Sequence, residues 1–242
     1  MVRTMDIACF IMLVIWFPSQ IIAESSLRLH YFDMPGQGEP IRMMLTYGNI
    51  PFEDVRISRD DWPELRPMMP LGRLPVLEVD GVLIPQYVAI SRYVATLAKL
   101  HGNDAMENLQ VDFLIDTLED LKQKMFSYGF ETSEEIRKAL EEILKGMVPY
   151  VMEGFDQRAK DNGGYIAIKR LTWVDIDFLC AYESLRNILN IDILNTYPNL
   201  KEVKNNVLKE PAIEKWIKSR PSSVTLRTYD LKSEYSKSRS EL

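Results

Sequence analysis

The stretch over residues 72–95 constrains the fold more strongly than any other part of the chain. Two short apolar runs, Val76–Val79 and Val82–Ile84, flank the dipeptide Asp80-Gly81. Asp-Gly between apolar runs is the strongest short-range signal for a β-hairpin, because a type I′ turn needs positive φ at both of its central residues. Apolar residues then recur at helical spacing over residues 88–98. The stretch therefore predicts a strand, a tight turn, a second strand and a helix in succession.

Two features of this stretch predict a binding site. Pro75 opens the first strand, where a proline cannot donate to a sheet ladder and where its peptide bond can be cis. Such a kink would present the backbone of Leu74 to a ligand. The helix after Gln86 would direct its N-terminus toward the same turn, where free N–H groups and the helix dipole favour an anion. These residues predict a site for an extended, acidic, peptide-like molecule; the alternative is an ordinary hairpin and helix without a ligand.

The segments before the hairpin complete an α/β unit. Alternation predicts a strand over Leu27–Phe32, and a turn rich in Gly follows before Glu39-Pro40 opens a helix. A second strand is predicted over Phe52–Ile57, and Ser58–Met69 is predicted to be irregular. The order strand, helix, strand, strand, strand, helix predicts an α/β layer domain of about 75 residues, over residues 27–102.

The remainder of the chain is predicted to be helical. Helical periodicity covers residues 106–130 and 132–160, and a capping-box variant at Thr172 and Asp175 precedes the apolar run Ile176–Leu189. Two shorter helices are predicted over residues 199–208 and 212–219. Residues 103–221 thus form a predicted all-α domain, and the polar residues 222–242 are predicted to be a disordered tail.

The first 23 residues have the layout of a secretory signal peptide. Arg3 precedes the apolar run Ile7–Phe17, which is too short to span a membrane, and the small residue Ala23 precedes Glu24. We therefore expect cleavage after residue 23 and a secreted product, with an uncleaved membrane anchor as the alternative. The C-terminal residues Arg-Ser-Glu-Leu resemble a retention signal, so retention in the endoplasmic reticulum lumen is a second alternative.

Composition excludes some classes of function. The chain of 242 residues has a formal net charge of −6, which argues against nucleic acid as its main partner. Once residues 1–23 are removed, Cys180 is the only cysteine, so no internal disulfide can form. Cys180 lies in an apolar helical stretch, where a buried free thiol is expected.

Several motifs in a fixed order give the chain a family resemblance. It resembles the sigma-class glutathione S-transferases, a group that includes the glutathione-dependent prostaglandin D synthases and their helminth relatives. The resemblance runs from Leu27 to Pro221 and is carried by Tyr31-Phe32, Gly38–Arg42, Asp61–Pro63, Gly72–Gly81, Ala89–Tyr93, Asp116–Asp120 and Leu171–Asp175. It implies a thioredoxin-like N-terminal domain, an all-helical C-terminal domain, a homodimer, and glutathione as cosubstrate.

The resemblance implies roles for individual residues. Tyr31 corresponds to the catalytic tyrosine, whose hydroxyl donates a hydrogen bond to the glutathione sulfur and favours the reactive thiolate. Trp62 corresponds to a tryptophan that reaches the glycyl carboxylate, and Arg66 and Arg73 stand where basic residues favour that carboxylate. Solvated surface charges are the alternative for the two arginines.

The same resemblance implies which residues bind the rest of the glutathione molecule. Gly72 belongs to the implied site. Leu74 would pair its backbone with the cysteinyl part, with cis-Pro75 setting the angle. Gln86 would hold the γ-glutamyl end, and Asp120 would reach across the dimer to the glutathione amino group.

Two of the implied site positions depart from the family pattern. Tyr87 stands where the family has a serine that contacts the γ-glutamyl carboxylate, and Gln37 stands where several relatives have an arginine. We hypothesise that the Tyr87 ring turns outward and leaves the helix N–H groups to hold the carboxylate; the alternative is that the ring fills the subsite. Both departures bear on glutathione affinity, and neither residue touches the sulfur.

An acidic group on one predicted helix offers a metal site as a further alternative. Asp116, Glu119 and Asp120 are spaced so that they lie close together, and some relatives place a divalent ion near this patch. A solvated acidic face is the interpretation that we favour, so we expect no metal.

The sequence thus predicts a secreted, homodimeric glutathione transferase. Its thiolate would attack soft electrophiles or assist the isomerisation of prostaglandin H to prostaglandin D. Two alternatives remain open: a binding or scaffold protein of the same fold with weakened catalysis, for which Tyr87 is the distinguishing residue, and an extracellular carrier of hydrophobic ligands.

Overall fold

The computed structural model describes residues 25–190 and 192–221. The predicted signal peptide and the predicted tail lie outside the described residues. The first part of the described chain contains β1 (Leu27–Phe32), α1 (Gly38–Tyr47), β2 (Glu53–Ile57), α2 (Trp62–Leu65), β3 (Val76–Val79), β4 (Val82–Pro85) and α3 (Tyr87–Leu97). The second part contains α4 (Ala105–Phe130), α5 (Glu134–Asp161), α6 (Trp173–Leu189), α7 (Pro198–Lys209) and α8 (Pro211–Ser219).

The four strands form one mixed sheet in the order β2-β1-β3-β4. β1 pairs in parallel with β2, where Tyr31 lies opposite Arg56, and it pairs antiparallel with β3, where Leu29 lies opposite Leu77. The parallel pair is connected through α1, as a parallel connection requires a crossover. This thioredoxin-like arrangement, followed by a largely helical part, confirms the predicted fold class.

The hairpin adopts the turn that its sequence predicts. Asp80 and Gly81 both have positive φ, 50° and 84°, and join β3 to β4 in antiparallel register. The peptide bond between Leu74 and Pro75 is cis, as the resemblance implies.

The predicted helices are confirmed, and the residues that cap helix α6 show why it begins where it does. The capping box is present at the start of α6, where Thr172 and Asp175 bond each other's backbone. The Asp175 carboxylate also accepts a bond from the Ile166 backbone N–H at 2.7 Å, so it fixes the loop that precedes the helix. Helix α6 runs through the centre of the helical part, and its residues Trp173–Tyr182 are buried.

The N-terminal and helical parts share a continuous core. Helix α1 packs against both α6 and α8. The carboxylate of Glu39, at the start of α1, accepts hydrogen bonds from the Trp216 indole at 2.9 Å and from Arg220 at 2.8 Å. Cys180 is buried in this core, and its thiol lies 3.8 Å from the Met43 sulfur. The expected buried free thiol is therefore confirmed.

One segment differs from its prediction. Residues Ser58–Met69 were expected to be irregular, but they contain α2 and a 3₁₀ turn over Arg66–Met68, followed by a second 3₁₀ turn over Pro70–Gly72. The prolines that predicted irregular structure occupy first-turn positions of these short helices, where a missing N–H costs nothing. Across residues 25–190 and 192–221, we find no helix with the length and apolar character needed to cross a membrane.

Candidate functional site

The tyrosine near the end of β1 is held at its hydroxyl by the loop that follows. Tyr31 is 8% exposed, and its hydroxyl oxygen accepts a hydrogen bond from the backbone N–H of Gln37 at 3.0 Å. Among the described residues, none accepts the hydroxyl proton in return. The hydroxyl is therefore oriented by the protein and still has its proton available to a ligand.

Two glycines let the loop approach the Tyr31 ring closely. A Cβ atom on Gly36 would lie 2.4 Å from the Tyr31 hydroxyl oxygen, and a Cβ on Gly38 would lie 2.5 Å from ring atom Cδ1. Gly36 also has a φ of +41°, a conformation that residues with side chains rarely adopt. Glycine at both positions is thus a condition for the Gln37 N–H to reach the hydroxyl.

The buried side chain of Arg42 holds the same loop in place through hydrogen bonds. This residue is fully buried, and its guanidinium lies 5.8 Å from the centre of the Tyr31 ring. It donates to Asp54 at 2.8 Å and to the Met34 carbonyl at 3.0 Å, and it pairs with Glu39 at 3.5 Å. Because the planar guanidinium offers five donors in fixed directions, these acceptors together set the path of the loop around Tyr31.

Burial raises the pKa of the Tyr31 hydroxyl, and this effect exceeds the opposing influence of the Gln37 N–H and of the nearby cations Arg42, Arg59 and Lys122. The hydroxyl consequently stays protonated at neutral pH. The group is arranged as a hydrogen-bond donor rather than as a base.

A cavity of about 520 Å³ lies between the N-terminal part and α4. Of the predicted glutathione-site residues, Gln37, Arg73, Gln86, Tyr87 and Asp120 line it, together with Val88, Asp116, Glu119 and Gln123. Gln86 immediately precedes α3 and has a φ of 85°, so the chain turns sharply there and the first turn of α3 borders the cavity. The structure therefore brings together a cation, three amides and three carboxylates at the N-terminus of a helix.

The other predicted site residues lie in the connection from β2 to β3. The Trp62 ring packs edge-on against Phe32, with ring centres 5.4 Å apart, and Phe32 packs in the same way against Tyr31 at 5.8 Å. Gly72 has a φ of +56° and lies close to the Arg66 side chain. The lining of the cavity includes none of Trp62, Arg66, Gly72, Leu74 and Pro75.

The Tyr87 side chain contradicts the sequence hypothesis. We expected its ring to turn outward, but the residue is 4% exposed, and its hydroxyl donates to the buried carboxylate of Asp177 at 2.6 Å. The ring is drawn into the contact between α3 and α6 because a buried acceptor is available there. The ring does not point to solvent, so the expected outward orientation is wrong. Tyr87 lines the cavity, and the alternative that its ring fills the subsite stays a prediction.

A buried cation completes this contact. The Lys122 ammonium donates to both oxygens of Asp177, at 2.8 and 2.9 Å, and lies 4.4 Å from the centre of the Tyr87 ring. It also forms an ion pair with Glu119. Burial alone would lower the pKa of the Lys122 ammonium, but Asp177 and Glu119 raise it further than burial lowers it. Burial and the Asp177 charge raise the pKa of Tyr87 well above its usual value.

The acidic group on α4 is divided between two environments. Asp116 and Asp120 are exposed, whereas Glu119 is 7% exposed and paired with Lys122. Burial, together with the neighbouring Asp177, raises the pKa of Glu119. In the described part of the chain, no group of three His, Cys, Asp or Glu residues is arranged to hold a metal ion.

Lys122 and Asp177 were absent from the sequence prediction. A signal for them exists, since each is a charged residue inside an apolar helical run: Lys122 lies beside Leu121 and Met125, and Asp177 lies between Ile176 and Phe178. Charges on the buried face of two helices predict a partner in the core. Which residue is the partner depends on a contact between positions 90 apart in the chain, such as Tyr87 and Asp177.

Two family models match the chain. The model described as the glutathione S-transferase N-terminal domain matches residues 27–96, and the model described as the glutathione S-transferase C-terminal domain matches residues 119–220. Together they cover both parts of the fold.

Characterised proteins are similar over most of their length. A glutathione S-transferase of Anopheles gambiae is 37% identical over 195 residues, which are 80% of this chain and 96% of that protein. The hematopoietic prostaglandin D synthase of Rattus norvegicus is 34% identical over 197 residues, covering 81% and 97%. The solved structure of a protein described as prostaglandin synthase D of Nilaparvata lugens is 40% identical with a TM-score of 0.76, covering 81% of this chain and 99% of that one.

The buried position of Arg42 leads to a test of its role. We expect Arg42→Gln to lower the free energy of unfolding by about 3–5 kcal/mol, because the fully buried site loses its charge and the donors to Asp54, Glu39 and the Met34 carbonyl. Arg56→Gln is the matched control, since Arg56 pairs with the same Asp54 but is part-exposed. It should cost about 1 kcal/mol or less. Urea unfolding of both variants measures the difference, and equal losses would show that Arg42 is not the anchor of the loop.

Proposed function

The chain belongs to the glutathione S-transferase family, with the sigma-class resemblance confirmed, and from this we propose that it is an enzyme that activates the glutathione thiol. The observation that carries the proposal is the Tyr31 hydroxyl, which is fixed by the Gln37 N–H and keeps its own proton for a ligand. A hydroxyl of this kind stabilises a thiolate by donating to it. The relatives named above include both transferases and prostaglandin D synthases, so both types of reaction are proposed.

The proposed mechanism begins with the sulfur. A thiol with an ordinary pKa near 8.5 is largely protonated at neutral pH, and a hydrogen bond to the thiolate lowers that pKa and raises the nucleophile's concentration. In conjugation, the thiolate sulfur forms a bond to the electrophilic carbon and the leaving group departs with its electron pair. In the isomerisation of prostaglandin H to D, the thiolate assists the rearrangement and is regenerated. Tyr31 has the same role in both reactions.

The remaining roles are proposed from where the structure places the residues. Gln86 and Arg73 line one cavity, which is consistent with Gln86 at the γ-glutamyl end and Arg73 near a carboxylate. Leu74 precedes the cis peptide bond and is proposed to pair its backbone with the cysteinyl part. Asp120 borders the cavity and is proposed to reach the amino group of glutathione across the dimer.

The role of Tyr31 is tested by removing its hydroxyl. We expect Tyr31→Phe to bind glutathione and to lose turnover by about 10²–10³-fold, or less where other donors remain, because a preorganised donor to the thiolate is lost. The ultraviolet absorbance of the thiolate, followed against pH in the bound state, should show a higher thiol pKa. Tyr150→Phe, on the exposed surface of α5, is the control. An unchanged rate in Tyr31→Phe would remove the residue from the mechanism.

We propose that the protein is a homodimer. Seven large apolar residues are exposed on β4, α3 and the first half of α4, namely Val82, Ile84, Tyr93, Leu97, Met106, Leu109 and Phe113. The ion pair between Arg92 and Asp112, at 3.1 Å, holds α3 beside α4 in this region. Exposed apolar patches of this kind are typical of protein interfaces, and two-fold pairing is the commonest assembly of identical chains.

Sedimentation velocity tests the dimer. The parent should sediment as a dimer at micromolar concentration, and Leu97→Glu combined with Leu109→Glu should sediment as a monomer, because two charges would be buried without partners. The control places the same charges elsewhere, as Ile136→Glu combined with Ile143→Glu on exposed positions of α5. A monomeric parent would contradict the proposal, and so would a dimer that withstands the first pair of changes.

We also propose that the protein is secreted after cleavage of residues 1–23, from the Arg3, Ile7–Phe17 and Ala23 pattern. Expression in a eukaryotic secretory host should release protein with an N-terminus near Glu24, as read by N-terminal sequencing. Residues 1–23 intact on a membrane-bound product would support the anchor instead. Cleaved protein held inside the cell, and released when residues 239–242 are deleted, would support retention in the endoplasmic reticulum.

A further inference from the structure

Four buried polar residues form a single cluster where the N-terminal part meets the helical part. They are Tyr87 from α3, Glu119 and Lys122 from α4, and Asp177 from α6; we call them the interdomain cluster. Each is buried, and Asp177 is fully so. None of its members contacts the Tyr31 hydroxyl directly, so any effect of the cluster on the thiol end of the site acts through other residues.

The hydrogen bonds within the cluster centre on the Asp177 carboxylate. The two Asp177 oxygens receive three bonds, one from the Tyr87 hydroxyl and two from the Lys122 ammonium. The same ammonium pairs with Glu119 and faces the Tyr87 ring. A buried network of this kind fixes the relative position of its members, because the loss of one partner leaves a buried polar group unpaired.

The two ends of the cluster meet two different parts of the proposed glutathione site. At one end, Tyr87 directly follows Gln86, the residue proposed for the γ-glutamyl end. At the other end, Glu119 accepts a hydrogen bond at 3.5 Å from the side chain of Gln37, whose backbone N–H orients the Tyr31 hydroxyl. The cluster therefore links the γ-glutamyl end of the site to the thiol end through α4 and α6.

The backbone at Gln86 depends on this link. A φ of 85° is strained for a residue that has a Cβ atom, and such a conformation persists only where the surrounding structure holds it. Among the described residues no side chain caps the start of α3, and the Tyr87 hydroxyl bond to Asp177 ties this first turn to the helical part. Loss of that bond would free the turn that presents Gln86.

We propose that the interdomain cluster positions the residues that bind glutathione. Tyr87 fixes Gln86 and Glu119 fixes Gln37, so that the contacts to both ends of the tripeptide are held in place together. The members are positioning residues and not catalytic ones. The proposal deepens the proposed function and rests on it. It also assigns a use to the tyrosine that stands where the family has serine.

If the cluster had only a structural role, replacing it would leave the affinity for glutathione unchanged. The two roles can therefore be distinguished by experiment. Replacing a complete buried ionic network by apolar groups of similar size is often neutral or stabilising. The variant Tyr87→Phe, Glu119→Gln, Lys122→Met, Asp177→Leu removes all the charges of the network: Phe, Met and Leu are apolar, and Gln is a neutral amide of the same shape as Glu. If the cluster positions the site, this variant should keep or exceed the parent's unfolding temperature, while its dissociation constant for glutathione rises by about 2- to 30-fold.

The single change Tyr87→Phe keeps the proposal falsifiable if the fourfold variant does not fold. It removes one hydroxyl and leaves Lys122 bonded to Asp177. The KM for glutathione should rise by several-fold, within the same range of about 2- to 30-fold, while the KM for a chlorodinitrobenzene electrophile and kcat change much less. Tyr182→Phe is the matched control, because Tyr182 is buried on the same helix as Asp177 and donates to Asp192 at 3.1 Å. The control should have the parent's KM for glutathione.

Calorimetry with glutathione on the full-length parent separates the two proposals. A parent that binds no glutathione overturns the proposed function and this inference with it. A parent that binds glutathione, together with Tyr87→Phe and fourfold variants that bind it equally well, overturns this inference and leaves the proposed function standing. Weaker binding in the Tyr87→Phe variant and parental binding in Tyr182→Phe is the result we expect.

Discussion

The geometry around Tyr31 depends on one buried guanidinium. Arg42 has no exposure to water, so its donors must find acceptors within the protein, and they find them in Asp54, Glu39 and the loop carbonyl of Met34. A loop held by a fixed fork of donors can pass close to an aromatic ring and deliver one N–H to its hydroxyl. Because Glu39 also receives bonds from the last helix, the constraint extends from the sheet to the end of the described chain.

Lys122 is a second buried cation, and its structural role differs from that of Arg42. Arg42 orders a loop within the N-terminal part, where several acceptors lie on one short segment. Lys122 joins helices from distant parts of the chain, and its compact ammonium suits a site where acceptors approach from two sides, Glu119 and Asp177. Buried ion pairs are weak evidence for stability, but they do specify which surfaces meet and in which register. In this fold, Glu119 of the Lys122 pair lines the cavity that Gln37 and Gln86 also line.

Much of the fold could be predicted from local sequence. The features that the sequence prediction missed depend mostly on contacts between residues far apart in the chain. The Asp80-Gly81 turn and the Thr172–Asp175 capping box were predictable, because each depends on residues within four positions of one another. Tyr31 was predictable only because a family motif surrounds it. The direction of the Tyr87 ring was not, since it is set by a carboxylate 90 positions away. The short helix at Trp62–Leu65 was missed because its prolines are compatible with a first helical turn as well as with irregular chain.

The Tyr87 result changes how a departure from a family pattern should be interpreted. Considered alone, a tyrosine in place of serine indicates a damaged subsite and favours a binding protein over an enzyme. In the structure, the tyrosine has a buried acid as its partner, and that acid has a buried lysine as its counter-charge. Each of the three residues would be costly without the others, because an unpaired polar group in a core loses its hydration without compensation. Three mutually dependent residues indicate a maintained arrangement rather than a lost one. Tyr87 is therefore no evidence of lost catalysis, and the proposed thiol chemistry depends on the Tyr31 hydroxyl and the N–H that orients it.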